Sequence, residues 1–146
     1  MHLWPAKISD LASIVAIEKN AFSQPWSEAT FLEELGRNPA SLYVLKKNHS
    51  GPILGYLCYW AAAEEIQLLT VAVHPDHRRR GLGRFMMESL LQEARLRAAE
   101  NIYLEVRPSN QPAINLYSQL GFQTLYRRPG YYQPGNEDAL IMQKEV

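Results

Sequence analysis

Residues 74 to 91 read HPDHRRRGLGRFMMESLL: three consecutive arginines stand before a Gly-x-Gly that runs into an apolar, helix-spaced segment. A helix start presents unpaired backbone N–H groups and the positive end of the helix dipole. Gly81 and Gly83 let the chain approach a ligand without side-chain interference. These residue types suit an anion, and Arg78-x-x-Gly81-x-Gly83 directly after a strand points to a diphosphate. The plainer alternative is a solvated charge run followed by a tight turn. A nucleotide P-loop requires Gly-x-x-x-x-Gly-Lys-Ser/Thr, and a dinucleotide fingerprint requires Gly-x-Gly-x-x-Gly in the first strand–helix turn; neither is present. The single cysteine, Cys58, lies in an apolar strand, where a buried structural thiol is expected rather than a nucleophile. His74 and His77 flank Pro-Asp at a spacing open to a metal. No companion cysteine or carboxylate-rich motif completes such a site, and no metal is expected.

The elements that position these residues alternate between helical and strand signals. Ser9 or Asp10 caps a first helix whose Leu11, Ile14 and Val15 share a face, and Ser27 caps a second carrying Phe31, Leu32 and Leu35. SLYVLKK and ILGYLCYW flank NHSG and read as a β-hairpin, followed by a strand in EIQLLTVAV. In that strand Ile66 and Leu68 keep one parity while Leu69, Val71 and Val73 keep the other. An inserted residue, a β-bulge, would do this and would leave backbone groups unpaired; a strand buried on both faces is the alternative. The helix after the arginines puts Leu82, Phe85, Met86 and Leu90 on one face and is expected to run to about Glu100. Then come a strand NIYLEV, a helix from about Ser109 to Leu120 closed by Gly121, and strands around FQTLYRR and DALIMQKEV. This order predicts an α/β sandwich with a mixed, mostly antiparallel sheet flanked by helices.

The 146 residues, 47% of them apolar, suffice for one domain with its own core, expected over 1–146. Formal net charge is zero, so no broad basic surface is expected to hold nucleic acid or an anionic membrane. The amino terminus shows no charged leader followed by an apolar stretch, and the longest nearly apolar run, 53–63, is too short to cross a bilayer. A cytoplasmic location is expected, which one cysteine with no internal disulfide partner fits.

TVAVHPDHRRRGLG resembles the acetyl-coenzyme A signature of the GNAT N-acetyltransferases, Arg/Gln-x-x-Gly-x-Gly/Ala, and LEVRPSNQPAINLYSQLGF resembles the region that follows it. The likeness spans nearly the whole chain. PWSEATF, LEVR with SNQPAINLY, and RRPGYY with EDALIM narrow it to the branch that acetylates the N-terminal alanine of ribosomal proteins. The resemblance implies the GNAT acyl-coenzyme A fold with a splayed, bulged central strand and acetyl-coenzyme A as co-substrate. Its backbone contacts to the pantetheine arm would come from Val71, Ala72 and Val73, and its pyrophosphate-binding amides from Arg79, Arg80, Gly81, Leu82, Gly83 and Arg84. Asn110 would touch the cofactor, although it also suits a helix N-cap.

An amine attacks a carbonyl only when neutral, and a thiolate leaves more readily if protonated, so the reaction needs a base and an acid. The resemblance assigns these roles to Glu105 and Tyr117. By residue pattern alone Glu105 shares a strand face with Tyr103 and Arg107 and could simply pair with that arginine. Tyr117, spaced with Ala113, Leu116 and Leu120, could simply fill the core. Trp26, Tyr131 and Tyr132 would line the acceptor groove or cover the sheet's end. The implied acceptor is a protein α-amine, near pH 7 roughly a tenth neutral against about one in two thousand for a lysine. Lysine or small-amine acetylation, and a non-catalytic acyl-coenzyme A sensor, are the other readings.

Overall fold

The computed structural model describes residues 1–37, 40–132 and 137–146, with Ala40 and Tyr132 described by backbone alone. Strand β1 (His2–Pro5) leads through a 3-10 turn (Ile8–Asp10) into helix α1 (Leu11–Ala21), then α2 (Glu28–Gly36). Strands β2 (Ala40–Lys46), β3 (Gly55–Ala62) and β4 (Glu65–Val73) form a meander. Helix α3 (Leu82–Leu96), β5 (Asn101–Val106), α4 (Gln111–Gln119), β6 (Gln123–Tyr132) and β7 (Glu137–Glu145) complete the chain. The sheet order is β1-β2-β3-β4-β5-β7-β6. Among the described residues β4 and β5 run parallel and every other pair is antiparallel.

The irregularity anticipated in β4 is present. Cys58 pairs with Thr70 and Tyr59 with Leu68, which leaves Leu69 as the extra residue. A one-residue insertion exchanges the faces of everything beyond it. Ile66, Leu68, Val71 and Val73 accordingly pack into the core layer of α3 and α4, while Leu69 and Ala72 pack into the layer of α1 and α2. Past the bulge the strand is lined by apolar residues on both sides, so each of the two sequence readings describes part of it.

Beyond the bulge β4 also parts from β5. The two strands pair only at Glu65 with Asn101, Ile66 with Ile102, and Gln67 with Tyr103. From there β4 stays on β3 as far as Val73 opposite Gly55, and β5 stays on β7 as far as Val106 opposite Leu140. The sheet therefore opens into two halves along Leu68–Val73 and Leu104–Val106, where the β4 backbone, among the described residues, has no strand partner on the β5 side.

Several element ends differ from the sequence expectation. Asp10 makes no side-chain cap to α1; its carboxylate turns back to accept from Lys7 N at 2.9 Å, and the helix grows out of the 3-10 turn instead. Ser27 does cap α2, accepting from Thr30 N at 3.2 Å. Leu32 is 48% exposed, however, because Glu34 takes its place on the inward face. Helix α3 stops at Leu96: Ala98 adopts a left-handed conformation (φ 55°) and Ala99 N donates to Ala94 O at 2.9 Å, satisfying a terminal carbonyl. Helix α4 starts at Gln111, since Asn110 supplies the cap. Each sheet margin carries a proline: Pro5 in β1, Pro129 in β6.

Gly55 sits where β3 closely meets both β4 and α3. A Cβ there would stand 2.7 Å from Ala72 O and 3.0 Å from Met86 Cε. Gly55→Ala must push against backbone, and is expected to lower unfolding free energy by about 2 kcal/mol, read from urea denaturation.

Candidate active site

The arginine-glycine segment forms the mouth of α3 as its sequence suggested. Gly81 is the N-cap residue at φ 76°, a left-handed conformation that glycine adopts without strain, and it offers no side chain to cap the helix. Phe85 N bonds to Gly81 O at 3.0 Å, so the amides of Leu82, Gly83 and Arg84 have no acceptor within the helix. A Cβ on Gly81 would meet nothing within 4 Å, so the space beside that residue is open. Arg79, at φ 64°, also turns left-handed. Arg80 Nη1 lies 3.2 Å from His77 Nδ1, and Arg84 reaches Glu88 at 3.4 Å and Gln119 at 3.0 Å. First-turn amides, open space and adjacent guanidiniums fit a diphosphate.

Arg78 has a role that sequence reasoning missed. Its Nε donates to Val73 O at 3.2 Å and its Nη2 to Asn20 Oδ1 at 2.9 Å. It braces the loop against the end of β4 and against α1, so the end of the strand and the helix mouth form one support. Val71, Ala72 and Val73 lie on the stretch of β4 that has left β5. An extended chain bearing amides and carbonyls would fit that gap, and the diphosphate-suited mouth follows it directly.

Glu105 stands on the other side of the gap. Strand β5 buries Ile102, Leu104 and Val106 and turns Tyr103, Glu105 and Arg107 to the opposite face. A cavity of about 310 Å³ lies there, bordered by Glu65, Gln67, Tyr103, Glu105, Tyr126 and Arg128. Arg107 is not the partner of Glu105. Its Nη1 donates to Glu137 Oε1 and its Nη2 to Gln24 Oε1, each at 3.2 Å. Glu105 instead pairs with Arg128, whose Nη1 lies 3.8 Å from Oε1. Arg128 also sits 4.7 Å over the ring of Tyr131. Partial burial, then a hydrogen bond to Glu105, push the Tyr131 hydroxyl above its ordinary pKa. Hydrogen bonds from Ser109 and the Arg107 guanidinium hold the Glu137 carboxyl below the usual range.

Tyr117 is 7% exposed and its ring lies 5.9 Å from that of Phe122, so the core reading holds for the ring. Asn110 is a helix cap, accepting from Ala113 N at 3.3 Å. Trp26 is half-buried, 5.1 Å from the Phe31 ring, and its backbone N donates to Glu18 Oε2 at 2.8 Å. Tyr131 is 42% exposed, while the side chain of Tyr132 lies outside the described residues. The structure thus brings Tyr131 to Glu105 and places Trp26 on the loop whose Gln24 touches Arg107. The δ nitrogens of both loop histidines are committed locally: His74 Nδ1 accepts from Asp76 N, and His77 Nδ1 faces Arg80. Among the described residues no helix is long and apolar enough to cross a membrane.

Residues 11–122 match the model of the acetyltransferase (GNAT) family. The chain belongs to this family. The ribosomal protein bS18-alanine N-acetyltransferase of Escherichia coli K12 is 37% identical over 136 residues, 92% of this chain and 90% of that protein. An N-alpha-acetyltransferase of Sulfurisphaera tokodaii is 32% identical over 150 residues, 94% of this chain and 88% of that protein. The crystal structure of the ribosomal-protein-S18-alanine N-acetyltransferase from Escherichia coli superposes with a TM-score of 0.89 at 33% identity, covering 99% of this chain and 93% of that one. The fold expected from the resemblance, with its bulged and splayed strand, is therefore the one observed, and the chain is an acetyltransferase.

Cys58 is unsuited to act as a nucleophile. It is wholly buried, and burial together with the nearby Glu34 and Glu18 charges pushes its pKa up to about 12. The reactive thiolate is scarce at any pH below that. The native protein is expected to resist iodoacetamide at pH 8 and to be alkylated once unfolded, as intact-mass measurement would show.

Proposed function

We propose that this acetyltransferase moves the acetyl group of acetyl-coenzyme A to the α-amine of a protein amino terminus, the terminal alanine of ribosomal protein bS18, in the cytoplasm. Transfer is direct, within a ternary complex. The observation that carries the reading is the parting of β4 and β5 beside Glu105, followed along β4 by the amide-lined mouth of α3. The relatives' printed activities support the choice of acceptor.

Bound acetyl-coenzyme A supplies an activated acyl group and a thiol that can leave. The chain's own residues bind, orient and move protons. Amides of the Arg79–Arg84 stretch, with the Arg79 and Arg80 guanidiniums, hold the diphosphate. The Val71, Ala72 and Val73 stretch holds the extended arm through the backbone groups it turns to the gap, and Asn110, whose Oδ1 caps α4, adds a further contact. Glu105 takes the proton of the incoming ammonium, directly or through a water, and Tyr117 returns one at the departing sulfur. Trp26, Tyr131 and Tyr132 border the acceptor. Because an α-amine is roughly a tenth neutral near pH 7, Glu105 faces a much smaller task than a lysine would set. Holding both reactants in one site supplies much of the remaining acceleration.

Glu105→Gln and Tyr117→Phe are each expected to lower kcat by roughly a hundredfold with little change in acetyl-coenzyme A affinity. Fragment mass spectrometry of an acetylated alanine-terminated peptide locates the group: acetyl on lysine side chains alone would refute the α-amine acceptor. Gly83→Asp tests the cradle separately. The Cβ would meet only ordinary contacts, 3.6 Å to Leu116 Cδ2 and 4.0 Å to Val73 Cγ2, and a carboxylate in the first turn favours the helix. The variant is expected to fold normally and to bind acetyl-coenzyme A at least about tenfold more weakly, by titration calorimetry, through repulsion of the diphosphate.

A further inference from the structure

One buried ionisable group takes no part in the proton chemistry above. Glu18, on α1, is 2% exposed and lies in the apolar layer of α1 and α2. Its Oε1 accepts from the Tyr56 hydroxyl and, at 3.0 Å, from Thr70 Oγ1; its Oε2 accepts from Trp26 N at 2.8 Å. Burying a carboxylate is costly and persists only when its oxygens are bonded. Burial first and the Glu18 charge second drive the Tyr56 hydroxyl far above its ordinary pKa. An apolar side chain would fill this layer without that cost, so the connections made by the carboxylate become the relevant feature.

Those connections join two borders of the site. Thr70 follows Leu69, the bulge residue, and precedes the Val71–Val73 stretch that has left β5. Trp26 lies in the loop between α1 and α2, residues 22–27. The same loop reaches the Glu105 face of β5 through Gln24 and Arg107. One carboxylate therefore ties the strand beside the gap to the loop beside Glu105. Without it, Trp26 N loses its acceptor and the loop keeps the exposed Gln24–Arg107 bond as its tie to β5. Strand β4 would still be held by β3, and the α3 mouth by Arg78.

We infer that Glu18 is a positioning residue: through the Trp26 amide it fixes the 22–27 loop against β4 and so sets the acceptor site beside Glu105. This rests on the acceptor site proposed above. Glu18 touches no reacting atom; it acts by keeping the loop where an acceptor peptide can dock without first ordering it.

The experiment measures two constants on folded variants, the KM for an alanine-terminated peptide and the Kd of acetyl-coenzyme A. Glu18→Ala is expected to raise the peptide KM roughly tenfold and to leave the Kd within about twofold. Glu18→Gln, whose amide oxygen still accepts from Trp26 N, is expected to bring KM back to within about threefold of the unaltered protein. Hydrogen exchange at the Trp26 amide should accelerate in the alanine variant and stay slow in the glutamine variant. An unchanged peptide KM in folded Glu18→Ala overturns the inference, as does an equal weakening of both ligands, the mark of general destabilisation. If the alanine variant does not fold, Glu18→Asp decides. One methylene shorter, it cannot span Thr70 and Trp26 together, so an unchanged KM overturns the inference and a raised KM with constant Kd supports it. Glu105→Gln is the separate control: full turnover there removes the acceptor-site reading itself, whatever Glu18 does.

Discussion

One extra residue in β4 is the constraint on which the site depends. With Leu69 inserted opposite the step from Cys58 to Tyr59, the strand keeps its bonds to β3 and turns away from β5 after three paired positions. A regular strand would have continued the ladder and closed the sheet. The insertion costs little, because the residues beyond it find apolar surroundings on both sides: Val71 and Val73 against the α3 and α4 layer, Ala72 against α1 and α2. Packing holds the strand in place, and beyond Gln67 its β5 side carries no ladder to β5.

Polar side chains around the opening act as ties between segments far apart in sequence. Arg78 joins Asn20 and Val73, Arg107 joins Gln24 and Glu137, Glu137 in turn accepts from Ser109, and Glu18 joins Trp26 and Thr70. The exposed contacts among these contribute little to stability individually. Their effect is geometric, since each fixes one edge of the gap relative to another and leaves less to be ordered when ligands arrive.

How much of this was legible in the sequence varies from residue to residue. The period-two pattern of NIYLEV placed Glu105 on the open face, the parity break placed the bulge, and Arg78-x-x-Gly81-x-Gly83 placed the anion-suited helix start. These are local signals, which one strand or one turn carries. Arg128 was not legible as the neighbour of Glu105, because the pairing of β6 with β7 slips at Thr124/Tyr126 and again at Arg128/Tyr132. No spacing rule follows a register through two such slips. The pairing of Glu105 with Arg107 failed for a related reason: Arg107 is drawn off by Gln24 and Glu137 from elements remote in sequence. Glu18 did leave a signal, since it continues the apolar stripe of Leu11 and Ile14 along α1, where a charged residue is out of pattern. Glu34, buried and accepting from Trp60 Nε1 at 2.9 Å, repeats this on α2 and explains why Leu32 faces outward.

The two margins of the sheet have a consequence of another kind. Strand β1 spans four residues and ends in Pro5, and β6 at the opposite margin carries Arg127, Arg128 and Pro129 along an irregular stretch. A proline offers no N–H to an incoming chain, and charged, kinked borders make poor templates for further ladder growth. A sheet that has to stay open at its centre is thus blunted at its rims, which guards crowded copies of the protein against stacking edge to edge into fibrous aggregates.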